Sequence, residues 1–144
     1  MFKFLRTLFN KPIDSADDLR EYLDNDHFKQ FSVTVAGITF TNVDGSSRSK
    51  IAASCSYGQK LLLIREPNNI HDSNAVKVLT EDERQLGYLS PHDASDVQAP
   101  LKGTSNMYDH VEAIFIESGK FLNDENKRMP YCRICIRKHY KVRQ

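Results

Sequence analysis

Hydrophobic and polar residues alternate along much of the chain after residue 30, which is the pattern of half-buried β-strands. The first such segment is FSVTVAGITF at residues 31–40, in which Phe31, Val33 and Val35 share one face. The alternation changes parity at Gly37, so that the next apolar residues point to the other face, which predicts a β-bulge or a sharp bend of the sheet. Further strands are predicted at residues 60–65, 74–79, 84–89, 110–117 and 130–139.

Two short helices are predicted before the first strand. Residues 2–9 place their apolar side chains near one helix face. The second helix begins at Ser15, which can cap it, with Asp18 at the capping-box position, and runs to about residue 23. An amphipathic helix of this length is expected to dock on its own domain or on a partner.

Two further helical segments are predicted among the strands. SSRSKIAASC at residues 46–55 reads as a short helix or turn. In SPHDASDVQAPL, Ser90 is an N-cap, Pro91 takes the first helical position and Asp93 the third, which together mark a helix start.

This pattern predicts a mainly β protein with small helices, folded as an OB-like, partly open six-stranded β-barrel. About six short strands, with long connections rather than tight hairpins, favour this barrel over a sandwich. At 144 residues the chain is long enough for one domain with its own core. We predict an N-terminal helical extension over residues 1–30 and the barrel domain over residues 31–144.

Composition narrows the class of protein further. Charged residues make up 27% and hydrophobic residues 40% of the chain, which excludes the disordered and membrane classes. No apolar run approaches the roughly 20 residues that span a bilayer. The N-terminal segment is interrupted by Lys3 and Arg6 and lacks the apolar core of a signal peptide. Three cysteines without a secretion signal predict reduced thiols and a cytoplasmic location without membrane association.

The net charge of +1 conceals a basic C-terminal end. Residues 120–144 hold eight basic and two acidic residues, whereas residues 31–119 hold seven basic and eleven acidic ones. Two interpretations stay open at this point. The basic end contacts a polyanion, or it is a solvated sheet edge that lysine and arginine guard against edge-to-edge pairing.

The segment LIREPNNIHDSNAVKV at residues 63–78 is unusual because many short polar side chains lie between two apolar runs. A plain hairpin needs only two or three turn residues. The segment therefore indicates either an unusual backbone or a ligand-binding loop. Asparagine and aspartate side chains commonly hydrogen-bond their own loop backbone, which is the simpler interpretation.

This loop, with VAGITF at residues 35–40 and QLGYLSPHDASDVQAPL at residues 85–101, resembles the HIRAN domain. The three blocks have the order and spacing of that family, and the resemblance covers roughly residues 31–139. It implies an OB-type barrel that binds single-stranded DNA and captures the free 3′-hydroxyl end, as in eukaryotic fork-remodelling helicases. Because the sequence has no GxxxxGK[ST] phosphate loop, we expect a non-enzymatic DNA-binding module acting in DNA repair or processing.

The resemblance implies that Asp72 accepts a hydrogen bond from the terminal 3′-hydroxyl. A carboxylate only accepts, and the free hydroxyl is a donor that internal nucleotides lack. An internal linkage would bring a phosphate close to the carboxylate, so one acid both selects the end and rejects the middle of a strand. We expect Asn68, Asn69 and Asn74 to shape the loop and Asp72 to face the ligand.

The remaining contacts implied by the family match less completely. Helicase-type members carry an arginine and two aromatics where this chain has Thr39, Phe40 and Thr41, so only Phe40 can stack on a base there. Stacking contributes about 1–3 kcal/mol per base, so the change weakens DNA binding. Further aromatic contacts are implied at His71, Tyr88 and Phe121. The basic end is expected to compensate through phosphate contacts of Arg133 and Arg137.

Other chemistries have weaker support in the sequence. CRICIRKH at residues 132–139 has a zinc-like spacing, but Cys132 and Cys135 fall on opposite faces of a strand, and structural zinc needs four ligands. Asp72 with Glu66 is the one acid pair for a two-metal nuclease. We therefore expect no metal and no cofactor. The alternative function is a protein–protein adaptor that uses the same groove or the N-terminal helices.

Overall fold

The structure, a computed structural model, describes residues 27–142. Its elements in chain order are β1 Phe28–Thr34, α1 Arg48–Ser54, β2 Lys60–Arg65, β3 Val76–Thr80, β4 Gln85–Tyr88, α2 Pro91–Lys102, β5 Tyr108–Leu122 and β6 Arg128–Tyr140. The two helices predicted within residues 2–23 lie outside the described residues. β1 begins at Phe28, so the first strand starts before residue 31, where the sequence places the beginning of the barrel domain.

The six strands form one antiparallel sheet in the order β1-β6-β5-β2-β3-β4. Beyond β1 the chain reaches the opposite edge, where Ala36 and Tyr88 exchange two backbone hydrogen bonds of 2.7 and 2.9 Å. This pair, which we call the seam, joins the two edges and curls the sheet into a partly open barrel. The predicted mainly β, OB-like, six-stranded barrel is confirmed.

The core lies inside the curled sheet and beneath the helices. On β3, Val76, Val78 and Thr80 are fully buried and alternate with half-buried residues, as period-two patterning requires. The helices add apolar side chains to the same cluster, among them Ile51 of α1 and Val97 of α2. The apolar faces recognised in the sequence therefore meet in one core.

α2 begins and ends at residues suited to those positions. The Oγ atom of Ser90 accepts a hydrogen bond of 3.3 Å from the backbone N–H of Asp93, and Pro91 takes the first turn, where no N–H is needed. At the C-terminal end Gly103 adopts a left-handed φ of 76°. The predicted helix start is confirmed, and the segment at residues 46–55 contains α1 as predicted.

Two parts of the fold differ from the sequence prediction. The chain does bend sharply at Gly37, which has a φ of 74°, but it forms a turn there instead of continuing as a strand to residue 40, and the N–H of Phe40 donates to the Gly37 carbonyl at 3.1 Å. β5 and β6 are 15 and 13 residues long and form a tight hairpin, not short strands with a long connection. In the outer part of this hairpin, polar residues and the exposed apolar residues Phe121 and Leu122 do not alternate, so no period-two pattern marks it as strand in the sequence.

Candidate functional site

The loop of residues 66–75 joins β2 to β3, and polar side chains fix its backbone. A hydrogen bond of 2.9 Å from its first backbone N–H to its last carbonyl joins the two ends. The Oδ1 atom of Asn69 accepts from the backbone N–H groups of His71 at 2.9 Å and Asp72 at 3.1 Å. The loop-shaping role predicted for Asn69 is confirmed.

Asp72 is half-buried in this loop, and His71 beside it is exposed. The Oδ1 atom of Asp72 accepts a hydrogen bond of 2.8 Å from the backbone N–H of Asn74. Within residues 27–142, the second carboxylate oxygen, Oδ2, has no hydrogen-bond or ion-pair partner. The carboxylate is therefore oriented by one oxygen and keeps the other as an acceptor.

Both ends of the loop are attached to α2 through one buried amide. The Nε2 atom of Gln98 donates to the carbonyl of Asn74 at 2.6 Å, and its Oε1 accepts from Nε of Arg65 at 3.0 Å. Gln98 is buried with both its donor and its acceptor engaged. This arrangement makes α2 a support for the loop that carries Asp72.

A cavity of about 440 Å³ lies against the first half of the loop and is lined by Arg65, Glu66, Pro67, Asn68, Asn69 and Tyr88. The carboxylate in this cavity is that of Glu66, which accepts from Nδ2 of Asn69 at 3.2 Å and pairs with Nζ of Lys77 at 3.2 Å. Burial alone would raise the pKa of Glu66. Hydrogen bonds from Tyr88, Asn69 and Lys77 outweigh that effect, so the pKa of Glu66 is lowered and the group is ionised at neutral pH.

The hydroxyl of Tyr88 donates to Glu66 and so has a defined polarity in the cavity. Burial raises the pKa of Tyr88, and the hydrogen bond to ionised Glu66 raises it further. The side chain of Gln85 also hydrogen-bonds Tyr88 and lowers its pKa, as does the charge of Arg48, but burial and Glu66 outweigh these two effects. The phenol therefore stays protonated at neutral pH, with its hydroxyl directed at Glu66.

An arginine lies between the two aromatic residues predicted from the sequence. The Cζ atom of Arg48 is 6.0 Å from the ring centroid of Phe40 and 5.6 Å from that of Tyr88. Both distances lie within the range of cation–π contacts. Phe40 is 65% exposed, so its ring is an open platform at the end of this row. The row of Phe40, Arg48 and Tyr88 leads from the surface to the cavity, and we call it the aromatic row.

Arg48 was missed in the sequence because it belongs to a segment read only as a short helix or turn. The intervening chain reverses through a turn, in which Thr41 and Ser47 pair across it. The run of asparagine, aspartate, glycine and serine at residues 42–47 is the signal that predicts this reversal. It brings the start of α1 back to Phe40.

Two other residues that the resemblance implies as DNA contacts, Thr39 and Phe121, are not part of the aromatic row. Thr39 is exposed on the same turn as Phe40. Phe121 is half exposed near the end of β5, and its ring is 6.4 Å from that of Tyr131 on β6, so its aromatic partner is neither Phe40 nor Tyr88. The structure thus brings Phe40 and Tyr88 together and leaves Phe121 on the hairpin.

The basic C-terminal end is divided by the fold into exposed and buried parts. Arg133 is exposed and pairs with Glu117 at 3.3 Å. Arg137 is 5% exposed, and its Nε donates to Oε1 of Gln30 at 2.7 Å. Lys138 is 3% exposed. The prediction that Arg137 contacts phosphates is corrected by this burial. β6 lies between β1 and β5 in the sheet, and residues on both of its faces are covered.

Glu112 on β5 is the carboxylate that pairs with the buried Arg137 and with His139. Its Oε1 atom is 2.6 Å from Nε2 of His139 and 3.8 Å from Nη1 of Arg137. The hydrogen bond with His139 lowers the pKa of Glu112 below 4.5, burial opposes the shift, and the charges of His139 and Arg137 add to it. A lowered folded-state pKa means stability that is present above pH 4.5 and lost as the pH falls through the folded value.

Glu112→Gln is therefore expected to destabilise the protein at pH 7 by about 1–3 kcal/mol, because the amide loses the charge-assisted bonds. The deficit should shrink as the pH falls below 4.5, where the unaltered protein loses the same contribution. Urea unfolding at neutral pH and below pH 4.5 measures the difference in stability between the variant and the unaltered protein. Glu125→Gln, in the exposed pair with Lys127, is the control with little effect. A deficit equal at both pH values would contradict the assignment.

The cysteines of the zinc-like segment lie in the interior. Cys132 and Cys135 are buried free thiols, and burial raises the pKa of Cys132 to about 12. Among residues 27–142, no three histidine, cysteine, aspartate or glutamate side chains are grouped to hold a metal ion. None of the helices in this part of the chain combines the length and apolar character needed to cross a membrane.

The chain is similar to known proteins over most of its described residues. The family model of the HIRAN domain matches residues 28–129. The Fanconi-associated nuclease 1 homolog of Arabidopsis thaliana is 33% identical over 79 residues, which make up 55% of this chain. The chain spans 8% of the length of that relative.

Two solved structures are also similar. The HIRAN domain of human HLTF has 18% identity and a TM-score of 0.49, with 78% of each chain covered. A protein from Lactobacillus plantarum has 19% identity and a TM-score of 0.48, with 73% of this chain and 90% of that protein covered. The family model extends from the start of β1 into β6 and so includes every element that builds the loop, the cavity and the aromatic row. The chain belongs to the HIRAN domain family.

Proposed function

We propose that this protein is a non-enzymatic module that binds single-stranded DNA and holds a free 3′-hydroxyl end at the loop of residues 66–75. The observation that carries the proposal is the half-buried Asp72, which keeps one carboxylate oxygen as an acceptor beside the cavity loop. Membership of the HIRAN family supports a role in DNA binding. The Arabidopsis relative, named as a nuclease, is similar to 79 residues of this chain, which correspond to 8% of its own length.

The chemistry of Asp72 supports a choice between strand ends and strand interiors. Its Oδ1 atom is held by Asn74, so the direction of Oδ2 is set before the ligand arrives. A terminal 3′-hydroxyl donates to this oxygen, whereas an internal phosphodiester has no donor there and brings negative charge towards the carboxylate. Selection thus combines one attraction with one repulsion.

The aromatic row supports single strands as the ligand. Phe40 presents an open ring on which an unpaired base can stack, and every base has the π-face required. Bases of a duplex are already stacked, so they cannot use this platform without unpairing. Glu66 is held by Tyr88, Asn69 and Lys77, which favours a binding role for the cavity over acid catalysis.

The test compares two single-stranded oligonucleotides that differ only at the terminal group, a 3′-hydroxyl or a 3′-phosphate. We expect a preference of about tenfold or more for the hydroxyl end, because a hydrogen bond to a charged acceptor contributes about 1.5–3 kcal/mol. Asp72→Asn should reduce this preference, since the amide accepts more weakly and no longer repels the phosphate. Fluorescence anisotropy of labelled strands gives both dissociation constants.

Asp44→Asn is the matched control. Like Asp72, Asp44 accepts from the backbone N–H two residues later, at 2.9 Å from Ser46, but it lies on an exposed turn. This variant should keep the full preference. Phe40→Ala should weaken both oligonucleotides alike, because stacking does not depend on the terminal group. Equal binding of the two ends by the unaltered protein would contradict the capture of 3′-hydroxyl ends. An absence of binding at low salt would favour the adaptor function.

A further inference from the structure

Arg48 is the first residue of α1, and its guanidinium is held in place by two neutral acceptors. Its Nη1 donates to the carbonyl of Gly37 at 3.0 Å, and its Nε donates to Oδ1 of Asn42 at 2.7 Å. Asn42 is itself fixed, because its Nδ2 donates to the carbonyl of Gln85 at 3.0 Å. A guanidinium held at two nitrogens has lost most of its rotamer freedom before any ligand binds.

The charge of Arg48 differs in its partners from the charges of Arg84 and Arg133. Arg84 pairs with Asp82 at 2.9 Å and Arg133 with Glu117 at 3.3 Å, so nearby carboxylates neutralise those charges. Within residues 27–142, Arg48 has no carboxylate partner, and its Nη2 makes no hydrogen bond. A fixed, half-buried positive charge between two aromatic rings is therefore left for an anion.

We propose that Arg48 binds a backbone phosphate of the single strand, the one that adjoins the base stacked on Phe40. The inference rests on the proposed binding of single-stranded DNA and adds to it the residue that holds the backbone. Arg48 lies over both Phe40 and Tyr88, so a phosphate at Nη2 lies between the base platform and the cavity. The phosphate takes one charge-assisted hydrogen bond from Nη2, and both ring contacts persist.

A phosphate contact has a signature that a packing role does not share. Each neutralised phosphate of a single strand contributes about −0.7 to the slope of log K against log salt concentration. A residue that only supports Phe40 and Tyr88 changes the affinity and leaves this slope unchanged. The slope therefore separates the two roles of Arg48.

The experiment measures binding of a labelled single strand with a 3′-hydroxyl between about 50 and 200 mM salt. Arg48→Gln is expected to weaken binding about tenfold at the lower salt and to reduce the magnitude of the slope by about 0.7. The matched control is Arg84→Gln, which removes an exposed arginine already paired with Asp82 and should change neither quantity. Asp72→Asn, measured in parallel, should keep the slope.

Arg48→Lys provides a second test in case Arg48→Gln does not fold. Lysine keeps the charge and so the slope, but it has no planar fork for Gly37 and Asn42, so the affinity should fall about threefold or more. A reduced slope for Arg48→Lys, which keeps the charge, or a weakened Arg48→Gln with an unchanged slope, would overturn the phosphate assignment while end capture by Asp72 stands. No binding by the unaltered protein overturns both proposals.

Discussion

Gly87→Ala is expected to lower the free energy of unfolding by about 3–5 kcal/mol, a large part of the stability of a domain of this size. Gly87 has a φ of 154°, and a β-carbon there would lie 2.4 Å from the carbonyl oxygen of Ala36 and 2.8 Å from Cγ1 of Val35. It directly precedes Tyr88, whose backbone pairs with Ala36 in the seam. The methyl group can be accommodated only by opening the barrel at that pair.

Gly45→Ala is the control that has the backbone strain of a positive φ without a steric clash. Gly45 also has a positive φ, of 87°, but nothing lies within 4 Å of a β-carbon there. We expect it to lose only about 1–2 kcal/mol, the cost of a left-handed conformation for an L-residue. Urea unfolding of both variants gives the comparison. Equal losses would show that close approach at the seam does not constrain Gly87.

Asp96→Asn is expected to destabilise the protein by about 2–3 kcal/mol, because it leaves a buried ammonium without its carboxylate. The Nζ atom of Lys138 on β6 is 2.9 Å from Oδ2 of Asp96 on α2, and Lys138 is 3% exposed. Two aromatic rings also lie close to this Nζ atom, with the ring centroid of Tyr108 at 4.5 Å and that of Phe31 at 5.7 Å. Breaking a fully buried pair costs about 3–5 kcal/mol, and the partial exposure of Asp96 reduces that figure.

A double variant identifies the buried charge as the cause. Lys138→Met should be nearly neutral, because methionine fills a similar volume beside the aromatic rings and Asp96 is left where water reaches it. Adding Lys138→Met to Asp96→Asn should recover most of the lost stability. Calorimetry or urea unfolding of the four proteins completes the cycle. A double variant as unstable as Asp96→Asn alone would show that the loss comes from the α2 surface.

Local features of the chain were predictable because they depend on residues close in sequence. β2 occupies residues 60–65, the range predicted from its apolar run. Ser90 and Pro91 mark the start of α2, since capping and a fixed φ act within one turn. Asn69 shapes the loop through bonds to residues two and three positions away. The family resemblance, which rests on the same segments, is confirmed by the family match over residues 28–129.

Features that depend on strand order could not be derived in this way. The basic residues of β6 looked like one solvated or polyanion-binding run, yet Arg137 and Lys138 are buried, whereas Arg133 is exposed. The difference arises because β6 is placed between β1 and β5, and a residue's burial then depends on what lies above each face of the sheet. Charge in a sequence carries no information about that neighbour.

The sequence by itself determined the class of fold, the main strands, the start of α2 and the polar loop that holds Asp72, because period, capping and turn chemistry are local. Only the tertiary structure decided how the site is assembled. Closure of the barrel at Ala36 and Tyr88 and the reversal before α1 bring Arg48 between Phe40 and Tyr88. Such contacts join residues up to 52 positions apart, as Ala36 and Tyr88 are, and their energy depends on geometry that appears only when the sheet curls and its edges meet.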